Sequence, residues 1–338
     1  MSISVAICTF NGERYLQEQI ESILNQTVAV EEIVICDDGS TDQTISVAKK
    51  ILDNRGFKNY HIIENKERLG VTRNFEKCIG SCTGDIVFVC DQDDYWKPKK
   101  VEIMCEALEN KDCLLAFCDA GVIDGEGAAV TESLYIKDGF ANRFGKIENI
   151  YDSIIRLSYT IYGCTMGVKK DFIDTIFPFY DSPANHDAWI MCCAILKGNI
   201  KYINEPLMDY RIHGKNTVGS IDGSPVWRKI VKEQNNYEKY FAIQPLRELR
   251  IQLLNEAMQQ MEIVNEGAFR MCQKAVRFWE RIKRAESKNR LYRIYILILS
   301  RLDSSYKYRF CDRGRSVTPQ LIRKQFICDL LYMLRARC

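Results

Sequence analysis

Apolar residues in the first hundred positions arrive in two patterns. Ile3–Cys8, Glu32–Cys36, Tyr60–Ile63 and Ile86–Val89 are short, nearly continuous runs rich in Val and Ile. Runs of that length, closed by turn-prone residues, predict strands buried on both faces. Between them the apolar positions recur at helical spacing: Tyr15, Leu16, Ile20, Ile23 and Leu24, then Ile45, Val47, Ala48, Ile51 and Leu52. Val71–Ile79, entered through Arg68-Leu69-Gly70, continues that pattern, and Ser40 is expected to cap the second helix from about Thr41. Strand–helix alternation in short units predicts an α/β fold with a mostly parallel central sheet flanked by helices.

The pattern changes further on. Tyr159–Lys170 reads as a strand pair in which Gly163 and Gly167 allow close backbone approach. Asn185-His186-Asp187-Ala188-Trp189-Ile190 opens an apolar helix running through Leu196. In Tyr210-Arg211-Ile212-His213-Gly214-Lys215-Asn216 the alternating Arg211, His213 and Lys215 would project to one side of an extended chain. From Pro225 the spacing is helical: Leu249, Leu253, Leu254, Ala257, Met258 and Met261, then Cys272, Ala275, Val276, Trp279 and Ile282. Residues 1–224 therefore read as one α/β domain and residues 225–338 as a helical C-terminal appendage. Leu291–Leu302 is apolar but only twelve residues long, too short to span a bilayer.

Composition sharpens that division. The net charge of +2 conceals 24 Lys+Arg against 11 Asp+Glu from Pro225 onward, so residues 1–224 carry an excess of acids. A basic amphipathic C-terminal surface, including Leu321–Arg337, suits peripheral contact with an anionic membrane face. No base-stacking motif accompanies the basic residues, so nucleic acid is not expected as a partner. The fifteen cysteines lie mostly inside apolar runs, without metal-binding spacing, and read as small buried side chains in a reducing, cytoplasmic compartment. The N-terminus carries no basic-then-apolar signal segment.

Chemistry concentrates where the strands end. Thr9-Phe10-Asn11-Gly12, Cys36-Asp37-Asp38-Gly39-Ser40 and Cys90-Asp91-Gln92-Asp93-Asp94 are polar, turn-prone and bounded by apolar strands. In a parallel sheet those ends share one edge, where open α/β sheets bind ligands. Three carboxylates within four residues repel one another, and a divalent cation such as Mg²⁺ or Mn²⁺, held alongside substrate phosphates, removes the penalty.

These three segments, with Tyr95-Trp96 following the acids, resemble glycosyltransferase family 2 and its GT-A fold over about residues 2–220. The Cys-Asp-Gln-Asp-Asp form with its following Trp is similar to the rhamnosyltransferase-like branch of surface polysaccharide assembly. The resemblance implies a dTDP- or UDP-linked sugar donor, a lipid-linked or oligosaccharide acceptor, and an inverting single displacement. Thr9, Asn11 and Glu13 would line the nucleotide pocket, Asp38 would contact the base, and Arg68 and Arg73 would lie near the base or phosphates. Asp91 would sit near the ribose, Asp93 would hold the metal, and Arg211 and His213 would contact the diphosphate. Asp187 falls where the family has its general base, at the start of a helix whose dipole favours a carboxylate. His186 stands where the family usually has Glu. A processive synthase would carry a Gln-x-x-Arg-Trp segment that this chain lacks, and a nucleotidyltransferase would carry a Gly-rich basic loop after the first strand. A non-catalytic nucleotide-sugar or lipid-binding module needs no base, so Asp187 distinguishes it.

Overall fold

A computed structural model describes residues 1–134, 161–180, 186–214 and 245–286, with residues 295, 296, 298 and 299 beyond them. Its first half is the predicted alternation. Strands β1 (Ile3–Thr9), β2 (Glu32–Asp37), β3 (Tyr60–Glu64) and β4 (Ile86–Cys90) pair in parallel in the order β3-β2-β1-β4. Every residue of β2 and β4 is buried, as an apolar run in mid-sheet requires. Helices α1 (Leu16–Leu24), α2 (Thr44–Asn54) and α3 (Val71–Gly80) connect them.

The expected cap at Ser40 is corrected. Helix α2 begins at Thr44, where the Asp42 carboxylate accepts the Thr44 N–H at 3.0 Å. Ser40 is engaged elsewhere, donating its hydroxyl to Asp37 Oδ1 and accepting the Asn11 N–H at 2.8 Å. The strand-end turn captures the serine before a helix can use it.

Beyond β4 come β5 (Tyr95–Trp96), α4 (Lys100–Leu108), β6 (Cys113–Asp124), β7 (Ala129–Thr131) and β8 (Met166–Lys169). A short helix α5 (Lys170–Ile173), the long α6 (His186–Lys197), β9 (Asn199–Ile212), α7 (Pro245–Gln260) and α8 (Glu266–Glu286) follow. The full sheet runs β3-β2-β1-β4-β8-β6-β9-β5, with β7 on β6; β8 lies antiparallel between β4 and β6, and β6 pairs β9 in parallel. Because two-residue β5 pairs with β9 rather than with β4, the acidic loop between them is pinned at mid-sheet at one end and at the sheet's edge at the other.

The expected strand pair over Tyr159–Lys170 is also corrected: its described part holds one strand, β8, entered through a 3₁₀ turn over Gly163–Thr165. Thr165 closes that turn on the Tyr162 carbonyl with its N–H (3.0 Å) and its hydroxyl (2.7 Å), leaving no partner strand before it among the described residues.

Helices α1, α2 and α4 cover one face of the sheet and α3, α6, α7 and α8 the other, each over its own apolar core. Helix α6 is buried continuously from His186 to Leu196, because the sheet lies on one side of it and the C-terminal helices on the other. The Val264 and Asn265 N–H groups donate to the Leu196 carbonyl, so α8 starts at the C-terminal end of α6. The described part of the helical appendage thus shares a core with the sheet domain; the boundary at 224/225, Lys215 and Leu321–Arg337 lie outside the described residues. No described helix is long and apolar enough to cross a membrane. The described cysteines are free thiols, and burial pushes Cys8 and Cys118 up to about 11.

Candidate active site

The parallel register sets Thr9 beside Asp37 and Ile7 beside Cys90, so three strand ends open on one edge. The first two loops are stitched together by their own polar groups. The buried Asp37 carboxylate accepts the Thr9 hydroxyl (2.7 Å), the Gly39 and Ser40 N–H groups (3.1 and 2.7 Å) and the Ser40 hydroxyl. Asn11, at φ 49° in the left-handed region that Asn tolerates, accepts the Thr41 N–H at 2.9 Å. Glu13 accepts the Gln43 N–H at 2.8 Å. Thr9, Asn11 and Glu13 therefore frame the mouth of the edge.

Asp38, next along, organises the segment before α3. Its carboxylate accepts the Leu69 N–H (2.6 Å), the Gly70 N–H (3.1 Å) and the Asn65 amide (3.2 Å). The exposed Arg68 guanidinium lies 3.7 Å from Asp38 Oδ2 and 3.7 Å over the Phe10 ring. Phe10, Arg68 and Asp38 together make a flat, half-polar shelf of the kind a nucleobase stacks on. Arg73 pairs with Glu76 and donates to the Phe179 carbonyl at 3.1 Å.

Gln92, the middle residue of the acidic loop, clips that loop to the first. Its Oε1 accepts the Phe10 N–H (2.9 Å) and its Nε2 donates to the Phe10 carbonyl (3.2 Å). A Cβ on Gly12 would lie 2.1 Å from Gln92 Oε1, so Gly12 is what lets the clip form. Around this clip the acids take different partners. Asp93 Oδ2 lies 2.8 Å from His213 Nε2, and the His213 ring stacks on Tyr15 at 4.9 Å. Fully buried Asp94 accepts the Arg211 N–H at 3.0 Å on one oxygen, while its Oδ2 has no hydrogen bond of standard geometry among the described residues.

Carboxylate oxygens of Asp91 and Asp94 and the Cys164 sulfur lie within 4.8 Å of one another. Burial first, then the Asp93 and Asp187 charges, push Asp91 up to about 7. Asp94 is raised by burial and by the Asp93 and Asp91 charges. Asp187, in the first turn of α6, accepts the Ala188 N–H at 2.6 Å and reaches the cluster through its charge. Asp91, Asp93 and Asp187 thus act on one another through their charges, and the Asp38 N–H bond to the Thr9 carbonyl (2.9 Å) joins the first two loops. Asp91 and Asp94 offer hard oxygen ligands beside the Cys164 sulfur and fit a divalent cation of the Mg²⁺ or Mn²⁺ type, whereas the Asp93 carboxylate lies outside that group, on His213.

Arg211 and His213 both reach Asp93 from the strand that alternation predicted, but from different sides. His213 meets the carboxylate, whereas Arg211 is 2 % exposed and donates its Nε to the Asp93 carbonyl at 2.8 Å. The same guanidinium pairs with Glu18 at 2.5 Å and lies 4.9 Å from the Tyr15 ring centroid. Arg211 braces the acidic loop from within the protein.

Three residues of the site gave little sign in the sequence. Fully buried Lys100 donates to the Cys164 carbonyl (2.7 Å) and sits 3.9 Å over the Trp96 ring, a fixed cation behind the acids. Its spacing to Met104 and Leu108 on the buried face of α4 was the available signal. Glu18, an exposed position on α1, is recognisable only through Arg211. His186 stacks on Phe75 at 3.9 Å, its ring nitrogens have no hydrogen-bond partner among the described residues, and burial lowers it to about 3. A Cβ on Gly163 would lie 2.6 Å from His186 Nε2, so the glycine and the ring occupy one another's space.

Relatives of the chain share this framework. An uncharacterized glycosyltransferase of Nostoc sp. is 30% identical over 225 residues, covering 64% of this chain and 66% of the relative. The putative teichuronic acid biosynthesis glycosyltransferase TuaG of Bacillus subtilis is 24% identical over 215 residues, covering 62% of this chain and 79% of TuaG. A Haemophilus influenzae glycosyltransferase, also uncharacterized, is 38% identical over 116 residues, 34% of this chain and 35% of its own. The chain spans just under two thirds of the Nostoc relative and about a third of the Haemophilus one. Among solved structures, S. aureus TarS 1-349 in complex with UDP-GlcNAc superposes with a TM-score of 0.58 at 16% identity, covering 98% of this chain and 90% of TarS. Mannosyltransferase PcManGT from Pyrobaculum calidifontis, in complex with GDP-Man and Mn²⁺, gives 0.52 at 14% identity, over 98% and 87% of the two chains. The fold is GT-A. The sequence profile of Glycosyl transferase family 2 matches residues 4–177, half of the chain and all three strand-end loops. With that pattern running from β1 through the acidic loop and past β8, the chain belongs to glycosyl transferase family 2.

Proposed function

We propose that the protein is an inverting, metal-dependent glycosyltransferase of cell-surface polysaccharide assembly. It moves one sugar from a nucleotide-diphosphate donor to a hydroxyl of a lipid-linked or oligosaccharide acceptor. The observation that carries this reading is the approach of Asp187 to the acidic loop: a Cβ on Gly163 would lie 3.6 Å from the Asp187 Cβ, and the next residue, Cys164, has its sulfur within 4.8 Å of the Asp91 and Asp94 carboxylates. TarS with UDP-GlcNAc and PcManGT with GDP-Man and Mn²⁺ support a nucleotide-sugar donor and a divalent ion. TuaG, named for teichuronic acid biosynthesis, supports the surface-polymer setting. The rhamnosyl donor rests on the likeness of Cys90–Trp96 to that branch, and dTDP and UDP remain the two nucleotides to compare. The free, buried thiols suit a reducing cytoplasm.

In this reading the base of the nucleotide lies on the Phe10–Arg68 shelf beside Asp38, with Thr9, Asn11 and Glu13 shaping the pocket and Asp91 toward the ribose. Asp93, with His213 beside it, would hold Mg²⁺ or Mn²⁺, which when bound supplies Lewis-acid stabilisation to the departing diphosphate. Asp187 takes the proton of the acceptor hydroxyl as that oxygen bonds to the anomeric carbon and the bond to the nucleotide diphosphate breaks. Arg211 holds the Asp93 backbone carbonyl and the Asp94 carboxylate in register, and Lys100 limits the mutual repulsion of the acids.

The test is donor hydrolysis across a panel of dTDP-, UDP- and GDP-linked sugars, with Mn²⁺, Mg²⁺ or EDTA. One nucleotude class should turn over well above the rest and stop in EDTA. Equal turnover of every donor in excess EDTA would overturn the proposal.

A further inference from the structure

The outer face of α8 carries a feature that donor chemistry does not use. Arg270, Lys274, Arg277, Arg281 and Arg284 follow one another by four, three, four and three residues. At about 100° per residue they fall within an arc of about 80° and run about 21 Å along the helix. The opposite face, Ala268, Cys272, Ala275 and Trp279, is buried in the core shared with α6. Arg270, Lys274, Arg277 and Arg284 are exposed and Arg281 is half-buried. Along the helix Glu266 pairs with Arg270 at 3.0 Å and Glu280 with Arg284 at 3.4 Å. Exposed pairs of that kind contribute little and yield readily to another anion.

The stripe also has a direction. Asn265 bonds to Leu196 at the end of α6, and Cys272 lies within electrostatic reach of Cys192, one turn earlier. Helix α8 therefore runs back along α6 toward its N-terminal turn, where Asp187 stands. Past α8, among the described helical residues 295, 296, 298 and 299, Ile296 is buried in the core while Tyr295 and Ile298 remain 54% and 41% exposed. Basic side chains followed by an exposed aromatic and an exposed aliphatic residue match a bilayer interface, with phosphates outside and acyl chains beneath. A nucleic acid would use the cations and leave Ile298 unexplained.

We infer that the Arg270–Arg284 face of α8, with Tyr295 and Ile298, docks on anionic lipid headgroups and turns the Asp187 side of the cleft toward a membrane-borne acceptor. Docking itself is independent of donor chemistry; only its benefit to transfer rests on the function proposed above.

The test is co-sedimentation of the full chain with phosphatidylcholine vesicles, with and without phosphatidylglycerol. Binding should require phosphatidylglycerol and weaken with salt. The triple variant R270Q/K274Q/R277Q should lose about fivefold in affinity per charge, on the order of a hundredfold together. R270K/R277K, which keeps the charges, should bind like the wild type, and donor hydrolysis without vesicles should be unchanged in both. Equal binding to both vesicle types, undiminished binding of the triple Gln variant, or binding to a single-stranded RNA oligomer but to neither vesicle would overturn the inference. Loss of hydrolysis with vesicle binding intact would count against the glycosyltransferase reading alone.

Discussion

Two strand ends in this protein begin with the same Cys-Asp pair and come to opposite electrostatic states. After β2, the carboxylate of Asp37 accepts four hydrogen bonds and that of Asp38 three, from the end of β1, the turn itself and the segment before α3. After β4, half-buried Asp91 and buried Asp94 stand beside Asp93 with too few donors, and both are held above the usual carboxylate range. A carboxylate whose oxygens are filled by backbone N–H groups is a structural part; one left short of donors is a place for something absent. The difference separates the acids that hold the loops together from those that, in the proposed function, act on the donor.

The largest effect expected from that distinction is on rate. Asp187→Asn removes the proton acceptor while keeping size and the bond to the Ala188 N–H, so kcat should fall about 10²–10⁴-fold with donor affinity nearly unchanged. Single-turnover transfer measured beside calorimetric donor binding separates the two. Equal losses in binding and rate would instead put Asp187 with the scaffold.

Next in size is a reciprocal pair. Asp37→Asn weakens charge-assisted bonds to Thr9, Gly39 and Ser40 and should cost about 2 kcal/mol of stability. Asp91→Asn removes one of three crowded charges and, measured in EDTA at neutral pH, should stabilise by about 1 kcal/mol while abolishing most activity. Urea unfolding of both variants decides it. If both changes destabilise alike, the contrast between the two strand ends fails.

How much of this was legible in the sequence follows from the range of the forces involved. Strands β1 to β4 and helices α1 and α3 were readable because their burial is written in local periodicity. The three strand-end loops were readable because a parallel sheet leaves them one edge. The helix start at Thr44 was misread because Ser40 answers to Asp37 and Asn11, a tertiary choice that outweighs its local capping preference. Alternation put Arg211 and His213 on one side of an extended chain and both do reach Asp93, yet whether a guanidinium there meets a ligand or its own backbone depends on Glu18, far away in the chain. Lys100 shows the same limit: a lysine reads as solvent-facing until the carbonyl of Cys164 and the ring of Trp96 are seen around it.

A third effect, read through pH, concerns His186, which sits beside Asp187 but on the filled, apolar side of the contrast. Burial lowers it from 6.5 to about 3, so the folded state refuses a proton that the unfolded chain accepts. Between those values the unfolded state binds more protons, and stability must fall as pH drops below about 6.5. At pH 4.5 the loss from this group alone is about 2–3 kcal/mol. His186→Phe keeps the stack on Phe75 and removes the titration, so its stability relative to wild type should improve by that amount between pH 7.5 and pH 4.5. Taking the difference between the two proteins cancels the acids, whose opposite pH dependence both share. Chemical denaturation at the two pH values measures it, and an unchanged difference would mean that His186 is charged, and therefore paired, inside the fold.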